Sequence, residues 1–166
     1  MNHLEQLISE WYEYNGYFVR RSVLVGKRPR GGYECELDVV AFHPSTKHLI
    51  QVEPSLDAHS WDKREERFSK KFAAGRKYIP ELFSGIDIPT EIEQVAVFVF
   101  ASKANNTSLA GGKVELASDY YERIVNELRG KKVAKEAVPE QFPLLRTIQY
   151  CCEYESLLFQ KNSSNN

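Results

Sequence analysis

The sequence predicts an α/β fold, in which a mixed central sheet of four to five strands is flanked by helices. Segments rich in β-branched and aromatic residues alternate with segments whose apolar residues recur at the helical period. The segment 94–101 (QVAVFVFA) is almost wholly apolar, which is typical of a strand that helices cover on both faces. The 166 residues suffice for one domain with a substantial core.

The first elements are a helix and a strand. Four apolar residues recur at helical spacing over 3–14 and predict an amphipathic helix: Leu4, Leu7, Ile8 and Trp11. Asn15-Gly16 ends this helix, because glycine readily adopts the left-handed conformation of a helix cap. A strand over 17–25 follows, and the segment GKRPRGG after it is a loop.

A β-hairpin is predicted next. Polar and apolar residues alternate over 33–41, which indicates a strand with one apolar face. Residues 43–46 form the turn and 48–52 the return strand. Pro54 is expected to stop the ladder pairing of this strand, because proline has no backbone N–H.

A long helix is predicted after Ser60, with Gly75 and Pro80 bracketing its end. Its apolar face is expected to be core rather than a surface for stacking ligands: Trp61, Phe68, Phe72 and Ile79. Its basic residues collect on the other side: Lys63, Arg67, Lys70 and Lys71.

The chain is expected to form a single domain over residues 1–160. Two further helices are predicted in its C-terminal part, one after Ser118 and one from Pro143. The expected organisation comprises a core at 3–101, a C-terminal helical extension at 118–160 and a disordered tail at 161–166.

Composition limits the classes of function. The net charge is −1, so any site for a polyanion must be local. The three cysteines have neither the spacing of a zinc site nor that of a disulfide framework, which favours a reducing, cytoplasmic location. No run of about 18 apolar residues occurs, so no membrane-spanning helix is expected.

Acidic residues gather in the predicted hairpin: Glu34, Glu36, Asp38 and Glu53. With the turn at 43–46, Asp38 faces Gln51 and Glu36 faces Glu53, and all four side chains project from one face. Opposed carboxylates repel each other, and a bound divalent cation removes that repulsion. Oxygen ligands from two or three carboxylates, completed by waters, are the usual arrangement for Mg²⁺. The alternative is an ordinary solvated strand face.

The segments GYECELDVVA (32–41) and LIQVEPS (49–55) resemble the core of the PD-(D/E)xK nuclease superfamily. The resemblance covers roughly 3–101 and implies a restriction-endonuclease-like three-layer sandwich. It implies that Asp38 and Glu53 bind Mg²⁺ or Mn²⁺ and that Glu5 assists from the preceding helix, although Glu5 also fits a surface helix position. The implied activity is metal-dependent hydrolysis of DNA phosphodiesters by an endonuclease, and a homodimer is a further implied partner, because many relatives dimerise to cut both strands.

Ser55 departs from the pattern of that superfamily, because it stands where the motif has its lysine. One interpretation moves the lysine role to the following helix, where the candidates are Lys63, Lys70 and Lys71. A second interpretation uses Gln51-Val52-Glu53 as a variant of the motif. A third holds that catalysis is lost and that the fold remains as a module that binds nucleic acid or a partner protein.

In the active interpretation the remaining roles are assigned as follows. Gln51 or Ser55 positions the attacking water, and a lysine such as Lys71 stabilises the charge that develops on phosphorus. Five basic residues are expected to contact the phosphate backbone: Arg28, Arg30, Lys63, Arg67 and Lys70. For the basic residues of the long helix, the alternative is a solvated helix face.

Overall fold

The computed structural model describes residues 2–102 and 106–159, and the tail predicted at 161–166 lies outside them. The chain forms two compact units, one up to Asp119 and one from Tyr120 onwards. In the described part of the chain, no helix combines the length and the apolar character that crossing a membrane requires.

The first unit contains the sheet. Its elements are α1 (His3–Tyr14), β1 (Phe18–Lys27), β2 (Tyr33–His43), β3 (His48–Ser55), α2 (Trp61–Leu82), β4 (Glu93–Phe98), β5 (Ser108–Leu109) and β6 (Gly112–Leu116). The strands form one mixed sheet in the order β1-β2-β3-β4-β6-β5. Strands β1, β2 and β3 are antiparallel neighbours, and β4 is parallel to both β3 and β6.

The α/β class and the mixed sheet are confirmed, but the sheet has six strands rather than four to five. The additional pair, β5 and β6, lies between the strand predicted at 94–101 and the helix predicted after Ser118, where the sequence predicts no strand. Strand β5 has two residues, and a tight turn through Gly111, with φ 81°, returns the chain to β6. Segments this short carry too little hydrophobic alternation to be recognised as strands.

The second unit consists of helices. Its elements are α3 (Ala117–Leu128), which begins in the first unit, α4 (Val133–Glu136), α5 (Pro143–Glu153) and α6 (Glu155–Leu158). The two predicted C-terminal helices are therefore present, and Pro143 stands at the first position of α5, where its missing N–H is harmless.

Helices cover both faces of the sheet. On β3, Gln51 points towards α2, where its side chain bonds the backbone carbonyl of Lys71 at 3.2 Å. His48, which has the opposite parity, bonds the hydroxyl of Tyr17 at 2.8 Å. The ring of Tyr17 packs against Tyr12 of α1, with centroids 4.9 Å apart. Because side chains alternate along a strand, α1 and α2 lie on opposite faces of β3.

The apolar face predicted for the long helix is confirmed. Phe68, Phe72 and Ile79 are buried, and Trp61 packs against the same core. The predicted end is wrong, because α2 continues past Gly75 and Pro80 to Leu82. Gly75 is required inside the helix, because a Cβ atom there would lie 1.8 Å from the side-chain oxygen of Gln51.

The hairpin register differs by two residues from the prediction. His43 pairs with His48, so the connecting residues are 44–47, and Lys47 closes the turn at φ 53°. Continued past the last ladder pair, Val39 with Val52, this register sets Asp38 opposite Glu53. A shift of two residues leaves every side chain on its predicted face, because the period of a strand is two.

Pro54 does not end β3 as predicted. The ladder to β2 stops at Val52, but the ladder to β4 continues through Pro54 to Ser55. The missing N–H of Pro54 therefore falls where β2 makes no ladder pair with β3.

Candidate active site

The predicted carboxylate pair lies under a lysine of α2. The Nζ atom of Lys71 is 2.7 Å from Oδ1 of Asp38 and also bonds Oε2 of Glu53. The backbone N–H of Asp38 points at Oε1 of Glu53, at 3.4 Å. Two carboxylates from adjacent strands thus share one ammonium group, at the end of β3 where the antiparallel ladder to β2 has stopped.

A chain of hydrogen bonds through two buried side-chain amides holds the Glu53 carboxyl group in place. The side-chain NH₂ of Gln51 donates to Oε1 of Glu53 at 2.8 Å, and Gln94 of β4 donates to Gln51 at 2.6 Å. Arg76 in turn donates to Gln94 at 2.5 Å. Gln51 is fully buried. Gln51 therefore orients the Glu53 carboxyl group, and it does not line the cleft described below.

Burial makes the protonation of this pair unusual. Glu53 is only 1% exposed, and burial raises its pKa to about 8 against the opposing effect of the Lys71 ammonium group. Burial by itself lowers the pKa of Lys71, but the carboxylates of Glu53 and Asp38 outweigh it, so this pKa lies above its ordinary value. At neutral pH the metal-free cluster therefore holds a proton that an exposed carboxylate would release.

The cluster opens into a cleft of about 230 Å³. Its lining includes Asp38, Glu53, Ser55, Asp57, Arg67 and Lys71. Arg67 and Lys71 are one helical turn apart on α2, so both cations of the cleft come from the same helix face. Ser55 lines the cleft as well, but its hydroxyl is occupied by Asp57 and by Arg67.

A buried arginine that sequence reasoning missed holds the loop beside the cleft. Arg64 is 3% exposed and donates to the backbone oxygens of Asp57, at 2.9 Å, and Phe100, at 2.8 Å. Its guanidinium also lies over the ring of Phe98, 4.2 Å from the centroid. The sequence does indicate a buried arginine here, because Arg64 falls on the apolar stripe of α2, four residues before Phe68. A charged side chain at such a position needs a buried partner.

A second, more basic groove of about 390 Å³ lies along α2. Its lining includes Arg28, Glu34, Cys35, Lys70 and Lys77. Two of the predicted phosphate-binding residues, Arg28 and Lys70, thus come together, and Lys77 joins them although it was not predicted. Lys70 is paired with the exposed Glu66 at 2.7 Å.

Other predicted residues lie elsewhere. Lys63 is exposed near the start of α2, and Arg30 is exposed in the loop between β1 and β2. Glu5 folds back on Asn2 and completes a capping box at the start of α1. Glu10, on the same helix, is 1% exposed and accepts a hydrogen bond from Gln6.

The donor set of the cluster fits a divalent cation that binds oxygen. The Asp38 and Glu53 carboxylates already converge on one cationic atom, and the cleft beside them has room for water. Among the described residues, no three side chains of the types His, Cys, Asp and Glu gather as a metal-binding group. A cation here would therefore take two carboxylates from the chain and complete its shell with waters.

Comparison with known proteins adds no relative. No protein-family model matches the chain, and the search of curated proteins found no match either.

Proposed function

We propose that the protein is a metal-dependent nuclease of the PD-(D/E)xK type that hydrolyses DNA phosphodiesters. The observation that carries the proposal is the convergence of Asp38 and Glu53 on Lys71 at the mouth of an open cleft. The lysine missing at Ser55 is then supplied from α2, which favours the first of the three interpretations, with Lys71 as the lysine.

The order of elements supports the same proposal. A helix precedes the carboxylate hairpin, and a long helix and a buried strand follow it, as the resemblance implies. A restriction-endonuclease-like fold is therefore part of the proposal. Glu5 is given no role in it, because its carboxylate caps α1.

In this proposal Asp38 and Glu53 would hold Mg²⁺ or Mn²⁺. The ion supplies a Lewis acid for the phosphoryl oxygen and lowers the pKa of a bound water. Gln51 keeps the Glu53 carboxylate oriented through its amide N–H. The Lys71 ammonium group lies beside both carboxyl groups, where it would face the charge that develops on the phosphate. Arg28, Lys70 and Lys77 are placed to bind the backbone of the nucleic acid.

One observation favours a second candidate, a catalytically inactive module that binds nucleic acid. Lys71 bonds both carboxyl groups, so its ammonium group already occupies the position between them that a divalent ion would take. The two candidates differ in one measurable property, since only the nuclease requires that a divalent ion compete with Lys71.

The test combines calorimetric titration of Mn²⁺ with cleavage of plasmid, single-stranded and branched DNA. We expect wild-type protein to bind Mn²⁺ and to cleave DNA, and Asp38→Ala to lose both while remaining folded. The matched control is Glu36→Ala, because Glu36 is an exposed carboxylate on the same strand and face. Cleavage retained in Asp38→Ala would contradict the site, and DNA binding without cleavage in any divalent metal would favour the inactive module.

A further inference from the structure

We propose that Arg67 is the residue that contacts the phosphate undergoing cleavage, and that Ser55 and Asp57 are positioning residues for its guanidinium. The inference rests on the proposed function. It assigns Ser55 a specific purpose, because the serine anchors an arginine at the place where the motif would carry its own cation.

The contacts of Arg67 fix its guanidinium beside the carboxylate pair. One terminal nitrogen donates to the Ser55 hydroxyl at 2.8 Å, and the other pairs with Asp57 at 2.5 Å. The guanidinium carbon also lies 4.9 Å from the ring centroid of Phe68. Ser55 belongs to β3, Asp57 to the loop after it and Phe68 to α2. Contacts from three segments therefore fix the orientation of the guanidinium.

Arg67 retains capacity for a ligand. Its side chain is 41% exposed and lines the same cleft as Asp38 and Glu53. Its Nε atom is buried, so a ligand would have to be met by the terminal nitrogens. Each terminal nitrogen carries a second N–H beyond the one used, which suits a tetrahedral anion.

The ion pairs around Arg67 also leave room for an anion. Arg64 and Arg67 share the single carboxylate of Asp57, so neither arginine has a carboxylate to itself. Burial alone would raise the pKa of Asp57, but hydrogen bonds from Ser55 and from the His59 backbone, together with Arg67, hold it at about 2. Asp57 therefore remains ionised at neutral pH and stays paired with Arg67.

The experiment measures Mn²⁺-dependent cleavage of a fluorescein-labelled DNA oligonucleotide by full-length variants, and its binding in Ca²⁺ by fluorescence anisotropy. Arg67→Ala is expected to lower kcat by about 100-fold, as removal of a donor to the transition state does. Arg67→Lys keeps the charge but cannot reproduce the forked geometry, and we expect it to lose about tenfold. Lys113→Ala is the matched control, because Lys113 of β6 is an exposed cation that lines neither the cleft nor the basic groove; it should leave both binding and kcat unchanged.

Two further variants separate this role from a structural one. Asp57→Asn should lower kcat more than it raises KM, because it loosens the guanidinium without removing it. Ser55→Lys in the Arg67→Ala background places a cation back at the motif position, and we expect it to restore part of the lost kcat. A purely structural role for Arg67 predicts no such restoration.

The outcomes distinguish this inference from the proposed function. If wild type cleaves and Arg67→Ala retains the kcat of Lys113→Ala, the inference is overturned while the nuclease stands. If wild type does not cleave at all, the nuclease proposal fails by itself, and binding decides the role of Arg67. A loss of affinity in Arg67→Ala at least tenfold larger than in Lys113→Ala would then support a phosphate contact, and equal affinities would exclude it.

Discussion

Two clusters of acids and bases lie at opposite ends of the strand β3. The site cluster consists of Asp38, Glu53 and Lys71, and the rim cluster consists of His48, Glu93 and Lys113. In the rim cluster a single carboxylate, Glu93, bonds both His48, at 2.7 Å, and Lys113. In the site cluster two carboxylates share a single lysine.

The two clusters differ in burial and in the ratio of carboxyl groups to cations, and the pKa values of their glutamates therefore shift in opposite directions. Although burial alone would raise the pKa of Glu93, Lys113 and His48 lower it below its ordinary value. The Glu53 carboxyl, which is almost fully buried and has only a share of Lys71, has a pKa raised to about 8. The rim cluster is therefore satisfied as it stands, whereas the site cluster has two carboxyl groups for one cation and retains a proton at neutral pH, which the proposed divalent ion would replace.

The largest expected contrast between the clusters is in catalysis. In the proposed nuclease, Glu53→Gln should lower kcat by about 10³-fold, equivalent to about 4 kcal/mol, because it removes one of the two charged oxygen ligands proposed for the ion. Glu93→Gln should leave kcat unchanged, since Glu93 pairs with Ile50, about 10 Å along β3 from Glu53, and projects from the opposite face of the sheet. Steady-state cleavage assays in Mg²⁺ measure both, and equal losses in the two variants would break the distinction.

The second contrast concerns the lysines in the metal-free protein. Lys71→Met should lower the free energy of unfolding by about 2–4 kcal/mol, because it strands buried carboxylates. Lys113, at 67% exposure, should contribute less than about 1 kcal/mol when changed to methionine. Urea denaturation measures both, and added Mn²⁺ should recover part of the loss in Lys71→Met only. If Mn²⁺ stabilises neither variant, the metal assignment is contradicted.

The third contrast is the pH dependence of stability without metal. The folded state keeps the Glu53 proton up to about pH 8, whereas the unfolded chain releases it near 4.5, so the free energy of unfolding should fall as pH rises between these values. Glu53→Gln should remove this fall, which can reach about 5 kcal/mol at about 1.36 kcal/mol for each pH unit between 4.5 and 8. For Glu93, whose pKa is lowered, the sign is opposite, and its stabilisation is lost as pH falls below its unfolded value.

Urea denaturation at a series of pH values separates the two signs. A fall between pH 5 and 8 that persists in Glu53→Gln would show that another group is responsible.

The smallest expected effect concerns the packing of Gly75 in α2 against the side chain of Gln51. Gly75→Ala should destabilise the protein by about 1–2 kcal/mol, because displacement of Gln51 outweighs the better helix propensity of alanine. In a Gln51→Ala background the same change should be neutral or stabilising, since the clash is gone. The double-mutant cycle by thermal or urea unfolding measures this coupling, and additive effects would contradict the packing.

Much of the fold could be predicted because its signals are local. Helix α1, the first three strands and the apolar face of α2 all appear in the periodicity of the sequence within a few residues of their observed bounds. The ends of α2 and β3 could not, because Gly75 and Pro54 carry the local signature of breakers. Their tolerance depends on what packs beside them, namely Gln51 against the glycine and a ladder that has already ended at the proline.

That Asp38, Gln51 and Glu53 share one face of the hairpin follows from the sequence, because alternation along a strand survives a register error of two residues. Tertiary packing was needed to show that Asp38 rather than Glu36 lies opposite Glu53, and that Lys71, among three candidate lysines, reaches both carboxylates. It was also needed to show that Asp57, which Arg64 bonds, pairs with Arg67 at the cleft. Side-chain alternation along a strand depends only on residues that are neighbours in the chain. The contacts among residues of β2, β3 and α2 join segments that are distant in the chain, so they depend on how the hairpin closes and on where the helix crosses it.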